Sequence, residues 1–100
     1  MKHGIFISFE GDDGAGKTTA ARQIHRELEK LGYEVVYTRE PGGSPIAEQI
    51  RQILLDPANK GMDPKTEAVL YTASRCQHVQ DTILPAVEQG KIVLCDRFLD

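Results

Sequence analysis

A parallel β-sheet flanked by helices is the fold class that this 100-residue sequence predicts, within a single domain over residues 1–100. Three short runs rich in β-forming residues, 5–9, 34–38 and 92–96, alternate with stretches of helical periodicity. The first and third runs are almost continuously apolar, which favours strands covered by helices on both faces. A glycine-rich segment, residues 11–18, directly follows the first run. An α/β protein whose first strand leads through this segment into a helix is therefore expected.

The first predicted helix lies between the first two strands. Apolar residues recur at helical spacing on one stripe, which we expect to pack on the sheet: Ala20, Ile24, Leu28 and Leu31. Gly32 follows as a stop, because glycine readily takes the left-handed conformation that ends many helices.

Two further helices begin with a capping residue followed by proline. Ser44 is the predicted N-cap of the second helix, which should end near residue 56. Asp63 caps the third helix, which should run to about residue 80 and be followed by a shorter helical segment over 85–89. After the third strand the predicted sheet has an open edge, so we expect the natural chain to continue beyond Asp100.

The composition is that of an ordinary soluble globular chain, with 40% hydrophobic and 27% charged residues. The net charge of −3 and the absence of a basic block argue against a nucleic-acid partner. The apolar run over 5–9 is too short for a signal peptide or a membrane span, which predicts a cytoplasmic protein without membrane partners. Cys76 and Cys95 lack C-x-x-C spacing and the histidines lack ligand spacing, so we expect reduced thiols and no zinc site.

The glycine-rich segment fits the phosphate-binding pattern G-x-x-x-x-G-K-[ST]. Its residues are Gly11, Asp12, Asp13, Gly14, Ala15, Gly16, Lys17 and Thr18. A predicted strand before it and a predicted helix after it are the context that distinguishes a P-loop from a simple glycine-rich turn. Together with the adjoining Thr19, this segment is expected to bind the phosphates of ATP. Lys17 would reach the β- and γ-phosphates, and the Thr18 hydroxyl would bind Mg²⁺.

Polar residues at the ends of the other two strands belong to the same edge of a parallel sheet. Asp96 is placed there to meet the metal ion, and Arg97 to clamp a second phosphate with its planar guanidinium. On spacing alone, the alternative that these two residues merely end a strand or pair with Asp100 stays open. The loop over 38–43 leaves the second strand at this edge, and its two glycines permit close approach of a ligand to the backbone.

Four segments, taken in order and spacing, closely resemble bacterial-type thymidylate kinase. They are residues 9–19 (FEGDDGAGKTT), 38–43 (TREPGG), 73–78 (ASR and QH around Cys76) and 96–98 (DRF). The resemblance implies the N-terminal part of one P-loop kinase domain, whose full parallel sheet has five strands. It also implies ATP and Mg²⁺ as cofactors, phosphoryl transfer to dTMP to give dTDP, and a cytoplasmic homodimer. The lid loop, with its catalytic arginines, would follow Asp100.

The resemblance also assigns roles to single residues. Asp13 resembles the carboxylate that meets the deoxyribose 3′-hydroxyl, Arg51 and Arg97 the arginines around the dTMP phosphate, and Arg75 the arginine that faces thymine. Tyr71 stands where many members stack a phenylalanine on the base, although a core tyrosine beside Leu70 is the alternative.

Catalysis is expected from Lys17 and Arg97, while Glu40 is counted among the substrate-binding residues. A phosphate acceptor is mostly dianionic at neutral pH and needs no general base. A deoxynucleoside kinase, the nearest rival, does need one, and Glu40 would be the candidate. The rival leaves Arg51 and Arg97 without an acceptor phosphate. A nucleotide-binding switch ATPase is the alternative from another class.

Overall fold

A computed structural model describes residues 3–11 and 17–98. Its sheet contains β1 (Ile5–Gly11), β2 (Val35–Glu40) and β3 (Ile92–Phe98), which are all parallel and lie in the order β1-β3-β2. The predicted parallel α/β sheet is confirmed. Each strand extends about two residues further toward its carboxyl end than the sequence predicted, which carries Glu10 and Glu40 into the ladder.

The central strand β3 is the core of the fold. Its residues from Ile92 to Asp96 are all buried, as predicted for a strand covered on both faces. The same prediction for β1 is wrong, because Ile5 and Phe6 are 56% and 40% exposed. Among the described strands, β1 is an edge strand that pairs with β3 alone.

Helix α1 (Lys17–Lys30) contacts all three strands. Its predicted stripe is mostly wrong, since Ala20, Ile24 and Leu31 are exposed, Leu28 alone is half-buried, and Ala21 is fully buried. Ala21 and Leu28 are seven residues apart and so share the face that meets the sheet, whereas Ala20 is rotated off it. Gly32 ends the helix at φ 94°, as predicted.

Helices α2 (Pro45–Leu55) and α3 (Pro64–His78) pack against each other. Asp63 caps α3 as predicted, accepting a hydrogen bond from the Lys65 amide at 2.9 Å. Ser44 occupies the predicted N-cap position of α2 with an extended backbone, but its side chain makes no capping hydrogen bond within the described part of the chain. A short 3₁₀ turn (Pro57–Asn59) follows α2.

Helix α3 does not end before the following helical segment, contrary to expectation. A π-helical turn (Val79–Ile83) joins it directly to α4 (Leu84–Glu88). Pro85 lacks an N–H and sits in the first turn of α4, where the wider π turn accommodates it. Over residues 3–11 and 17–98, none of the helices combines the length and apolar character needed to cross a bilayer.

Candidate functional site

The carboxyl ends of the three strands bring acidic and basic residues side by side. Parallel pairing places Arg97 of the central strand opposite Glu10 on β1 and opposite Glu40 on β2. Arg97 Nη1 donates to Glu10 Oε2 at 3.0 Å, and Arg97 Nε donates to Glu40 Oε1 at 3.1 Å. The strand order therefore fixes this guanidinium between two carboxylates at the edge where ligands of parallel α/β folds collect.

Glu40 is the centre of this arrangement. Its side chain is buried and accepts from Arg75 Nε at 3.1 Å and from His78 Nδ1 at 2.9 Å, besides Arg97. Both arginines bind the same carboxylate oxygen, Oε1, and His78 binds the other, Oε2. A buried carboxylate is tolerated only when it is paired and hydrogen-bonded in this way.

The carboxyl of Glu40 is held in its ionised form. Burial on its own raises the pKa of Glu40, but the hydrogen bond from His78 and the positive charge of Arg75 outweigh it, so the pKa lies below its usual value. An ionised carboxylate whose oxygens are engaged by three donors is poorly suited to remove a proton from a hydroxyl group. The geometry thus argues against Glu40 as the general base of a deoxynucleoside kinase.

His78 belongs to the same network; it lies in the segment 73–78 that carries the family resemblance, but the sequence analysis gave it no role. It is 0% exposed, and its Nε2 lies 2.8 Å from the Thr38 hydroxyl. Because an ionised carboxylate only accepts, the proton that faces Glu40 must reside on His78 Nδ1. The signal available in the sequence was the spacing of Arg75 and His78, one helical turn apart on α3.

A cavity of about 410 Å³ opens beside the two arginines. Its lining combines apolar side chains with the charged cluster: Phe6, Glu40, Arg75, Val79, Ile83, Leu84, Val87 and Arg97. The Arg75 side chain is 53% exposed and that of Arg97 is 20% exposed. A cavity with apolar walls and guanidinium groups at one end suits a ligand with both an apolar face and a negative charge.

The loop after Glu40 is fixed by contacts from three helical elements. The Gly42 amide donates to Ser74 Oγ on α3 at 3.0 Å, and the Gly43 amide donates to Glu48 Oε2 on α2 at 2.8 Å. Thr82, in the π turn, donates its hydroxyl to the Gly43 carbonyl at 2.8 Å. The π turn thus helps to hold the loop that follows Glu40, which is consistent with the frequent occurrence of such turns at functional sites.

An exposed ion pair between Arg39 and Glu48 also stabilises this loop. Arg39 donates to Glu48 through Nε at 3.1 Å and through Nη2 at 2.7 Å, a bidentate geometry. The hydrogen bond from Arg39, with the Gly43 amide, lowers the pKa of Glu48 to about 2 against the opposing effect of burial.

Two other predicted substrate-binding residues, Arg51 and Tyr71, lie on the helices α2 and α3. Arg51, on α2, donates through Nη1 to the Pro41 carbonyl at 2.9 Å, directly beyond Glu40. Tyr71 is half-buried on α3, one turn before Arg75, and outside the lining of the cavity among the described side chains. The structure therefore joins Glu40, Arg75 and Arg97 directly and places Arg51 at the adjoining loop.

Asp96 is buried at the carboxyl end of β3. The Tyr37 hydroxyl donates to its Oδ2 at 3.3 Å. Burial, followed by the negative charge of Asp96, raises the pKa of Tyr37, so this hydroxyl keeps its proton and remains a donor. An oriented carboxylate at this place has the oxygen chemistry that Mg²⁺ requires.

Most of the predicted phosphate-binding segment lies outside the described residues. Residues 12–16, and with them Asp13, are not covered, and neither are the side chains of Lys17 and Thr18. Gly11 ends β1 opposite Phe98, and Thr19 is exposed in the first turn of α1. The strand and helix that the motif requires are thus on either side of it, while its contacts stay predictions.

Glu40, His78 and Cys95 bring ligand-type atoms within 4.8 Å of one another. Burial, then the charges of Glu40 and Asp96, raise the pKa of Cys95 to about 12, which keeps its thiol protonated at neutral pH. A metal ligand needs the thiolate, and the other two groups already bind each other. We interpret Glu40 and His78 as a hydrogen-bonded pair in the core beside the protonated Cys95 thiol.

Comparison with known proteins identifies the family. The family model described as thymidylate kinase matches residues 9–100. The thymidylate kinase of Limosilactobacillus fermentum is 62% identical over 98 residues, which cover 97% of this chain and 46% of that protein. That of Symbiobacterium thermophilum is 58% identical over 96 residues, covering 96% of this chain and 45% of that protein. The chain thus spans about half the length of these curated relatives.

A solved structure gives the same answer for the fold. The crystal structure of thymidylate kinase from Ehrlichia chaffeensis superposes with a TM-score of 0.83 at 40% identity, covering 96% of this chain and 54% of that one. The three parallel strands and their helices are therefore part of a P-loop kinase fold. By sequence and by structure, the chain belongs to the thymidylate kinase family.

Proposed function

We propose that this chain supplies the ATP- and dTMP-binding part of an enzyme that phosphorylates dTMP to dTDP. The observation that carries the proposal is the buried, ionised Glu40, which gathers Arg75 and Arg97 at the carboxyl edge of the sheet. Each guanidinium offers several donors in a planar fork, so Arg97 suits a phosphate dianion and Arg75 suits a carbonyl acceptor of the base. The relatives that share this sequence are named thymidylate kinase.

The chemistry of the acceptor explains why no base is needed. A phosphate monoester has a second pKa of about 6, so its oxygen is already a nucleophile at neutral pH. The difficulty is to bring two anions together in line, which positioning and positive charge overcome. In this proposal Arg97 and Arg51 bind the acceptor phosphate, and Lys17 binds the phosphates of ATP.

The nucleoside part of dTMP would lie toward α3. Arg75 would donate to the thymine O4, Tyr71 would stack on the ring, and Asp13 would accept from the 3′-hydroxyl. Arg75 and Tyr71 are one helical turn apart on α3, so both side chains project from the same face. This division of roles is supported by the family resemblance of these positions.

Thr18 and Asp96 are the residues that would hold Mg²⁺ in the complex. Mg²⁺ neutralises charge on the phosphates during transfer. The contribution of the chain is to keep the Asp96 carboxylate buried and oriented, and the Tyr37 hydroxyl at 3.3 Å supports that role.

A cytoplasmic homodimer completes the proposal, as the resemblance implies. Helices α2 and α3 pack together and leave several large apolar side chains exposed, among them Ile46, Ile53 and Val69. Such side chains suit a second copy of the chain. Analytical ultracentrifugation of Val69→Asp against wild type tests this, and an unchanged dimer would remove this surface from the interface.

Turnover of alternative acceptors tests the proposed reaction. The assay uses a protein of the relatives' full length whose first 100 residues are these, called here the extended protein. With ATP and Mg²⁺ we expect dTDP from dTMP and no product from thymidine. Product from thymidine would support a nucleoside kinase, and hydrolysis of ATP without any acceptor would support a switch ATPase.

A matched pair of arginine variants connects the reaction to the cluster. Arg97→Met should raise the KM for dTMP by about tenfold or more, the usual effect of removing a charged hydrogen-bond donor, with a smaller effect on the KM for ATP. Arg26→Met is the control, because Arg26 is exposed on α1. Equal KM values in the two variants would remove Arg97 from the acceptor site.

A further inference from the structure

The buried histidine of the cluster has no direct access to a ligand. His78 is 0% exposed, so any influence on the reaction must pass through the groups that it contacts. Those groups are Glu40 at Nδ1, 2.9 Å away, and Thr38 at Nε2, 2.8 Å away. Glu40 in turn holds the two arginines, which gives a continuous path from the core to the cavity.

The two oxygens of the Glu40 carboxylate bind different partners, and this arrangement defines the role of His78. Arg75 and Arg97 share Oε1, whereas His78 is bonded to Oε2. The terminal torsion of a glutamate is soft, so a carboxylate without a donor on Oε2 is able to turn about it. Turning would move Oε1 away from one guanidinium or the other. The Nδ1 donor therefore keeps a single oxygen aligned with both.

The ring itself is fixed on its opposite side by β2 and the following loop. With the proton on Nδ1, Nε2 of a neutral ring accepts from the Thr38 hydroxyl. Gly43 lies against the same edge of the ring, where a side chain would overlap Cδ2 and Nε2. The donor of His78 is thus aimed by groups outside its own helix, as expected of a residue whose orientation matters.

We propose that His78 is a positioning residue for the dTMP site, which, through Glu40, orients Arg97 toward the acceptor phosphate and Arg75 toward the thymine base. The inference rests on the proposed function and adds a residue to it. It predicts that the loss of the Nδ1 donor weakens binding of dTMP without a matching effect on ATP. A residue that served packing alone would instead affect folding and both substrates together.

Two variants separate the donor from the bulk of the ring. His78→Asn keeps an amide N–H near the position of Nδ1, and His78→Gln places its amide near Nε2 and leaves Glu40 without that donor. In the extended protein we expect His78→Asn to keep the KM for dTMP within about threefold of wild type. His78→Gln should raise it by about tenfold, the effect of losing a hydrogen bond to a charged group. The KM for ATP should change by less than about twofold in both.

A double-mutant cycle tests whether the effect passes through Glu40. If it does, the rise in the KM for dTMP caused by His78→Gln largely disappears when Glu40 is already replaced by glutamine. Additive effects of His78→Gln and Glu40→Gln on the KM for dTMP would overturn the proposal. Equal KM values for dTMP in His78→Asn and His78→Gln would also overturn it. In either case, dTMP turnover by wild type would still support the proposed function. No dTMP turnover by wild type would overturn both.

Thr38 supplies the same comparison if the His78 variants do not fold. Thr38→Ser keeps the hydroxyl that orients the ring, and Thr38→Val removes it with little change of volume. A KM for dTMP that rises severalfold in Thr38→Val and not in Thr38→Ser would support the proposal. Equal values for the two Thr38 variants would overturn it.

Discussion

Gly43 is the point at which the loop after β2 meets the buried histidine, and Gly43→Ala is the substitution that tests this packing. The backbone there has φ 95°, a region that residues with a side chain rarely adopt. A Cβ would overlap the His78 ring at Cδ2 and Nε2 and would lie 2.6 Å from Thr38 Oγ1. Neither neighbour is free to withdraw, because both are buried and hydrogen-bonded to each other.

Two costs add at this position. The left-handed conformation costs an alanine about 1–2 kcal/mol relative to glycine. Forcing a methyl group into a packed site costs about 1–3 kcal/mol more. The free energy of unfolding should therefore fall by about 2–5 kcal/mol, a large share of the roughly 5–15 kcal/mol that is typical of a domain.

Two other glycines isolate the contribution of the contact. Gly32 has φ 94°, but among the described residues no atom lies within 4 Å of the place that a Cβ would occupy, so Gly32→Ala should lose only the conformational term of about 1–2 kcal/mol. Gly61 has neither a positive φ nor a close neighbour in the described part of the chain, and Gly61→Ala should change stability by about 0.5 kcal/mol or less. Urea unfolding of the extended protein measures all three. Equal losses in Gly43→Ala and Gly32→Ala would refute the packing of His78 on this loop.

Three further predictions concern charge. Lys17→Ala should retain the folded state by circular dichroism but lose most turnover of dTMP, and near-normal turnover would remove the P-loop from the mechanism. Arg75→Gln should narrow the dTMP over dCMP ratio of kcat/KM and leave the dTMP over dUMP ratio nearly unchanged, because dUMP shares the O4 acceptor of thymine and dCMP does not. For Glu48, a pKa lowered to about 2 from 4.5 means that its stabilising effect is present above pH 4.5 and disappears as the pH falls toward 2. Glu48→Gln should therefore reduce the fall in the free energy of unfolding between pH 4.5 and pH 2. The difference from wild type should be about 1 kcal/mol or less, because the Glu48 side chain is 34% exposed. An unchanged dependence of the free energy of unfolding on pH would contradict the pairing with Arg39.

Local sequence patterns correctly predicted those features of the fold that depend on neighbouring residues. The capping position of Asp63, the stop at Gly32 and the three parallel strands all depend on neighbouring residues or on short apolar runs. Ala20 was wrongly chosen over Ala21 because both fit an apolar stripe, and only contact with the sheet decides which face is buried. The exposure of Ile5 depends likewise on strand order, which no local pattern encodes.

The sequence selected three residues that the structure brings together, but it did not predict the contacts between them. Motif spacing and family resemblance selected Glu40, Arg75 and Arg97, and the structure brings these three together. The role of Glu40 as their common acceptor depends on long-range contacts. Arg75 is 35 positions and Arg97 is 57 positions from Glu40 in the sequence, beyond the range of periodicity arguments. His78 was missed for the same reason, since its partner Glu40 is 38 positions away. The π turn was missed because helical periodicity does not distinguish it from an α-helix.

Glu40 is proposed to organise the binding site for the acceptor phosphate, and ligand affinity is the quantity that decides whether it does. Isothermal titration of the extended protein with dTMP and with thymidine, in wild type and in Glu40→Gln, measures it. We predict that wild type binds dTMP at least about a hundredfold more tightly than thymidine, since a phosphate held by Arg51 and Arg97 forms several charged hydrogen bonds. Glu40→Gln should reduce that ratio about tenfold by releasing Arg97 from its charged acceptor. Equal affinity of wild type for the two ligands, or a ratio that Glu40→Gln leaves unchanged, would contradict this role of Glu40.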